Sequence, residues 1–169
     1  RAATDHRTGE NPRRVDMNDT YPILIVEDDP VTRRLLEKML QEAGCGEVRS
    51  AANGRVALEI LKHRLYPIVI TDWVMPEMDG LQLCRAIRQD DLPGYIYVIV
   101  LTVKDAKADV VWGLEAGADE YLVKPVNPAE LRVRLKTAQR ILKLEKSLRT
   151  TNEEIRILSI KDPLTGIFN

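Results

Sequence analysis

Ile68-Val69-Ile70-Thr71-Asp72-Trp73-Val74-Met75-Pro76-Glu77-Met78-Asp79-Gly80 is the stretch whose reading decides the fold. From Pro67 to Ile70 it is uncharged and β-branched, which suits a strand covered on both faces within a parallel sheet. A strand of that kind offers side chains to a ligand at its C-terminal end, where open α/β sheets bind, and Asp72 stands at that end. Pro76 and Asp79-Gly80 then turn the backbone ahead of a helix. A lone carboxylate in this position also serves as a helix cap or a solvated loop residue, so its meaning depends on the neighbouring strands.

Upstream, Ile23-Leu24-Ile25-Val26 reads as a first strand followed by the acids Glu27-Asp28-Asp29. Asp29 is an N-cap with Pro30 at the first helical position, and Leu35, Leu36 and Leu40 form the expected inner face of that helix. Gly44 and Gly46 close it, Glu47 to Ala51 make a second strand, and Asn53-Gly54 opens a helix expected to bury Val56, Ala57, Ile60 and Leu61. Downstream of Asp72 the pattern predicts a helix over Leu81 to Arg88, a strand from Tyr95 to Leu101 ending at Thr102, and a helix from Ala106 to Ala116 capped by Gly117. A fifth strand, Glu120 to Val123, ends at Lys124-Pro125. Strand and helix alternate throughout, so the expected class is α/β: a five-stranded, doubly wound parallel sheet with right-handed crossovers.

From Pro128 onward neither Gly nor Pro recurs until Pro163, which predicts one long helix. Leu131, Leu135, Ala138 and Leu142 form a stripe expected to pack on the sheet domain. A second stripe, Ile141, Leu144, Leu148, Thr151, Ile155 and Leu158, keeps the 3-4 spacing of a coiled-coil seam and is offset by one residue. The helix is therefore expected to leave the domain and pair with a second copy. Between Arg132 and Lys161 nine basic residues face three acidic ones. With no interleaved aromatics, this reads as a solvated coiled-coil flank rather than a nucleic-acid face.

The chain has 169 residues, a formal net charge of −1 and 44% hydrophobic residues, enough for one domain of roughly 120 residues plus an appendage. Its two cysteines, Cys45 and Cys84, suggest neither a disulfide scaffold nor a metal knuckle, and a reduced cytoplasmic setting fits. No apolar run reaches the length of about 18 residues that a membrane span needs, and the N-terminus shows no signal-peptide core. The expected partition is a leader outside the fold over 1–20, the sheet domain over 21–140, a coiled-coil linker over 141–161, and the start of a further domain over 162–169.

In such a sheet Glu27, Asp28, Asp72, Thr102 and Lys124 all fall at strand ends on one edge. Crowded carboxylates raise one another's pKa unless a cation sits among them, which points to a hard divalent ion with oxygen ligands, Mg²⁺ above others. The ion, the Lys124 ammonium and the Thr102 hydroxyl would together stabilise charge on a phosphoryl group as Asp72 becomes an aspartyl-phosphate. Taken singly, the acids read as helix-start charges, Thr102 as a β-former and Lys124 as a surface cation. Jointly, in this order, they do not.

These motifs, Ile-Leu-Ile-Val-Glu27-Asp28-Asp29-Pro, Thr71-Asp72-Trp-Val-Met-Pro76-Glu-Met-Asp79-Gly80, Leu101-Thr102 and Gly117-Ala-Asp-Glu-Tyr121-Leu-Val-Lys124-Pro125, resemble the receiver domain of two-component response regulators over roughly residues 21 to 140. The resemblance implies a flavodoxin-like (βα)5 fold in which Asp72 accepts a phosphoryl group from the phosphohistidine of a sensor histidine kinase or phosphotransfer protein. It implies that Asp28 and Asp72 ligate Mg²⁺ with the Val74 backbone carbonyl, and that Glu27 acts through water. It further implies that Thr102 and Tyr121 rearrange together and that the bond before Pro125 is cis. Val103 stands where the family usually has Ala or Gly, so its branched side chain is expected to narrow phosphoryl access and slow small-molecule donors; Val74 offers no polar group to hold a hydrolytic water, so a long-lived phosphoryl group is expected.

The tail Asp162-Pro163-Leu164-Thr165-Gly166-Ile167-Phe168-Asn169 resembles the opening of a GGDEF-type diguanylate cyclase domain reached through a signalling helix. The cyclase's own motif is absent, so this chain is expected to be a non-enzymatic switch whose dimerisation controls cyclic di-GMP synthesis by a larger parent. Three other readings compete. A haloacid-dehalogenase-type phosphatase would need a second acid at Val74; a degenerate receiver would be a constitutive dimer module; a transcription factor would need a DNA-binding output after the linker.

Overall fold

The structure is a computed structural model that describes residues 20–103 and 107–160, with the backbone alone for 107–110. Residues 1–19 of the expected leader, Ala106 at the expected start of the fourth helix, Lys161 and the expected domain opening at 162–169 lie outside the described residues.

The chain runs β1 (Ile23–Val26), α1 (Pro30–Glu42), β2 (Val48–Ala51), α2 (Gly54–His63), β3 (Ile68–Asp72), α3 (Gly80–Gln89), β4 (Tyr97–Thr102), α4 (Lys107–Ala116), β5 (Glu120–Val123) and α5 (Pro128–Ile160). The five strands form one sheet in the order β2-β1-β3-β4-β5, all parallel. This is the flavodoxin-like order, whose topological switch lies between β1 and β3, so the ligand crevice belongs at their carboxyl ends.

Alternation along the strands splits the core into two layers, since successive side chains point to opposite faces. Leu24, Val26, Val69, Val98 and Val100 pack with Ala57 and Leu61 of α2 and Leu83, Cys84 and Ile87 of α3. Ile23, Ile25, Ile68, Ile70, Ile99 and Leu101 pack on the other face with Leu36 and Leu40 of α1 and Leu131, Leu135, Ala138 and Leu142 of α5. Burying a leucine of this kind contributes about 1.5–3 kcal/mol, so these seams hold α1 and α5 to the sheet.

Two helix faces differ from the sequence expectation. Leu35 and Val56 are exposed, because an i, i+4 stripe of Leu36 and Leu40, or of Ala57 and Leu61, leaves the preceding residue turned about 100° away. Two strands also start later than expected, at Val48 and Tyr97. Tyr95 lies ahead of β4, and its hydroxyl bonds the Asp119 carboxylate. Arg88 closes that end of the sheet: its guanidinium bonds the Gly117 and Ile96 carbonyls at 2.9 and 2.8 Å and Asp119 at 2.7 Å.

Helix α5 is continuous for 33 residues, roughly 50 Å. Its first stripe is buried, whereas Ile141, Leu144, Leu148, Ile155 and Leu158 of the second are exposed. Among the described residues, no helix is long and apolar enough to cross a membrane.

Candidate functional site

Strand register brings the site together. Val26 pairs with Thr71, Asp72 with Leu101 and Thr102 with Val123, so Glu27, Asp72, Thr102 and Lys124 end four neighbouring strands at almost the same height. The Glu27 side chain turns inward and is 1% exposed, while Asp28 beside it faces solvent. Lys124 Nζ lies 2.8 Å from Glu27 Oε2 and 3.1 Å from Asp72 Oδ1, bridging the two carboxylates. Glu27, Asp28 and Asp72 each present a carboxylate oxygen, all within 4.8 Å of one another.

Two of the three acids that follow β1, Asp29 and Glu27, have separate tasks. Asp29 caps α1, accepting from the Thr32 amide at 2.8 Å, and its bonds from the Thr32 hydroxyl and amide hold its carboxyl below the ordinary range. Burial pushes the Glu27 carboxyl up, and the bonds from Lys124 and from the Asp29 amide, at 2.8 and 3.1 Å, only partly offset this. For Lys124 burial acts downward, but its hydrogen bonds and charge attraction to Glu27 and Asp72 outweigh it and hold the ammonium above its usual value. One ammonium among three acids leaves the cluster short of positive charge. Three converging oxygen donors are the set that suits a hard divalent cation, and Mg²⁺ fits them.

The loop after Asp72 is shaped by contacts the sequence reading located only in part. The Trp73 amide donates to Asp72 Oδ1 at 2.8 Å and to the Leu101 carbonyl at 3.0 Å, fixing the start of the turn. Glu77 adopts a left-handed φ of 66°, and the Met78 amide reaches back to the Pro76 carbonyl at 2.8 Å, a γ-turn that no residue preference announces. Gly80 is dictated by space, since a Cβ there would sit 2.2 Å from the Asp72 carbonyl oxygen. Asp79 and Gln82 then form a capping box at the start of α3.

Thr102 is buried, and its carbonyl accepts from the Lys124 amide at 2.6 Å. The Lys124–Pro125 peptide is cis. Tyr121, paired with Val100 across the sheet, points into the α2–α3 layer, and its buried hydroxyl has no hydrogen-bond partner among the described residues. Burial pushes that phenol up to about 12. Val74 and Val103, which follow Asp72 and Thr102 by two residues and one, are 73% and 69% exposed. Sequence reasoning missed Arg33, whose guanidinium bonds the Glu27 carbonyl at 2.9 Å from the first turn of α1.

Comparison with known proteins adds to this geometry. Residues 23–136 match the family described as the response regulator receiver domain. A probable transcriptional regulator, ycf27, of Guillardia theta is 38% identical over 127 residues, 75% of this chain and 48% of that protein. The chain spans about half the length of the curated relatives it matches. Among solved structures, the receiver domain of sensor histidine kinase PA1611 from Pseudomonas aeruginosa PAO1, with a magnesium ion coordinated in its active-site cleft, is 32% identical with a TM-score of 0.61. It aligns over 75% of this chain and 98% of that one. A probable two-component system response regulator/GGDEF domain protein is 27% identical with a TM-score of 0.67, over 73% of this chain and 50% of that one.

Proposed function

The chain belongs to the response regulator receiver domain family, and from that premise we propose that it is a phosphorylation switch whose acceptor is Asp72. The observation that carries this is the Lys124 ammonium held between Glu27 and Asp72 within a three-carboxylate cluster. An Asp72 carboxylate oxygen attacks the phosphorus of a partner's phosphohistidine; the O–P bond forms, the P–N bond breaks, and the imidazole nitrogen leaves with the electron pair. Lys124 moves its charge from the free carboxylate to the transferring oxygens, and the Thr102 hydroxyl donates to one of them. Asp28, Asp72 and the Val74 carbonyl would hold Mg²⁺, with Glu27 acting through water. The ion would supply the positive charge that offsets the phosphoryl oxygens.

The test is incubation with acetyl phosphate, with and without Mg²⁺, followed by intact mass. A gain of one phosphoryl group that needs the metal is expected, and no gain under either condition would sink the reading. Turnover of a generic phosphate ester would instead favour the phosphatase alternative.

Val74, exposed and apolar two residues after Asp72, offers nothing to orient a hydrolytic water. Val74→Asn should therefore release phosphate faster, by up to about 100-fold, with stability within about 0.5 kcal/mol of the parent. Equal release rates in the two proteins would remove the argument.

The output reading rests on α5. Ile141, Leu148 and Ile155 occupy one seam position and Leu144, Thr151 and Leu158 the other, and such a stripe suits a second copy of the same helix. Phosphorylation at the strand ends then resets how two α5 helices meet. Leu148→Glu would bury a charge in that seam and should weaken self-association at least about 100-fold in light scattering. An unchanged dimer would place the contact elsewhere.

What supports a cyclase output is the tail Asp162–Asn169 together with the GGDEF-containing solved structure. The curated relatives favour a second reading, a DNA-binding output, since they are probable transcriptional regulators. Cyclic di-GMP synthesis by the full-length parent decides between them.

A further inference from the structure

Tyr121 and Gly113 make a contact that the phosphorylation site does not explain. A glycine within a helix is unfavourable, because it loses more backbone freedom on folding than any other residue. Gly113 nevertheless sits inside α4 and is buried, while Val111, Trp112 and Leu114 around it are exposed. A Cβ at position 113 would lie 1.2 Å from the Tyr121 hydroxyl oxygen and 2.2 Å from Cζ, so the phenol occupies the space that any other residue's side chain would fill. Tyr121 enters from β5, and its buried hydroxyl makes no hydrogen bond among the described residues.

We infer that Gly113 is a positioning residue, a notch in α4 that seats the Tyr121 phenol in its inward orientation and so sets the balance of the Thr102–Tyr121 switch. The notch holds the ring by shape alone. A phenol that leaves it regains hydrogen bonds to water, so the inward state is poised, and one methyl group at position 113 suffices to expel the ring. Moving α4 outward instead would cost the helix its own packing at Ala116, which is buried. The regulatory half of this inference rests on the proposed coupling of Thr102 and Tyr121; the seating half stands on geometry.

The experiment compares the parent with Gly113→Ala, alone and combined with Tyr121→Ala. Solvent paramagnetic relaxation of the Tyr121 ring protons by a soluble gadolinium chelate should rise several-fold in Gly113→Ala. A ring that stays protected in that variant overturns the seat. Thermal midpoints give a second reading that does not depend on the ring signals. With Tyr121 present, Gly113→Ala should lower the midpoint or leave it unchanged. In the Tyr121→Ala background the same change should raise it, because the ring is gone and alanine is the better helix former. The same positive effect in both backgrounds would also overturn the proposal.

Beryllofluoride with Mg²⁺ should change the ring's relaxation in the parent and leave Gly113→Ala unaltered. A parent that binds no beryllofluoride counts against the phosphorylation reading alone. A parent that binds it while Gly113→Ala keeps its ring inward counts against the notch alone.

Discussion

Lys124→Met should lower stability by about 3–5 kcal/mol near neutral pH, towards the lower end because the lysine side chain is still 17% exposed. Methionine keeps most of the apolar stem, so the loss reports the charge rather than packing. What it leaves behind is Glu27, 1% exposed and without its cation. In the parent, burial already lifts the Glu27 carboxyl above 4.5. Without Lys124 the main remaining influences are burial and the Asp72 charge upward against the Asp29 amide downward, so the carboxyl rises further.

The folded variant then binds this proton more tightly than the unfolded chain. Its stability therefore falls as pH rises from 4.5 through the raised folded value, and recovers in acid. The parent behaves differently at the alkaline end. Lys124's contribution is complete below 10.5 and is lost as pH rises through its elevated folded value. Urea unfolding of parent and variant at about pH 5 and about pH 8 should show the larger difference at pH 8. A deficit of the same size at both would mean that Glu27 is not the group left unpaired. Phosphoryl uptake should also slow in the variant, since it loses the ammonium that bridges Glu27 and Asp72 and would follow the transferring oxygens.

Asp72→Asn should abolish phosphoryl uptake from acetyl phosphate while leaving the fold intact. The amide keeps the shape and retains an oxygen for the Trp73 amide, now 2.8 Å from Asp72 Oδ1, but it is not a nucleophile. Stability should change little. Lys124 loses one partner yet keeps Glu27 at 2.8 Å, and Glu27 loses a like-charged neighbour that raises it. The check is intact mass beside an unfolding curve. Full phosphorylation of Asp72→Asn would move the acceptor to another carboxylate, and a collapse of the fold would make Asp72 structural.

Much of this arrangement was legible in the chain because four of the five strands, all but β2, announce their end with a polar residue. Ile23 to Val26 before Glu27, and Glu120 to Val123 before Lys124, are the strands as found. Short apolar runs between turn residues leave little freedom of register in a sheet buried on both faces. Other features depend on contacts remote in sequence. Leu35 and Leu36 are equally apolar, and their order cannot tell which of them the sheet will cover. Glu77 takes its left-handed backbone from a turn closed by the residues on either side. The Arg88–Asp119–Tyr95 cluster joins residues separated by up to 31 positions, with no local pattern to mark it. Gly113 looks like a helix defect until the tyrosine from the next strand is put in place.

Helix α5 crosses from buried to unburied without a break: Leu142 is its last buried residue, and beyond it the Arg149 guanidinium lies 3.4 Å from the Pro93 carbonyl. The part past Leu142 is roughly 27 Å long at 1.5 Å per residue, and it acts as a lever. Tilting its base by about 5° swings the tip by roughly 2 Å, more than a knob in a packed hole tolerates, so under the proposed pairing of two α5 helices a small adjustment on the sheet would become a choice between distinct pairings. The same rigidity makes the lever sensitive to phase. Inserting one residue after Leu142 would rotate everything beyond it by about 100°, so in the proposed switch the length of the helix past Leu142 would carry information just as the seam residues do.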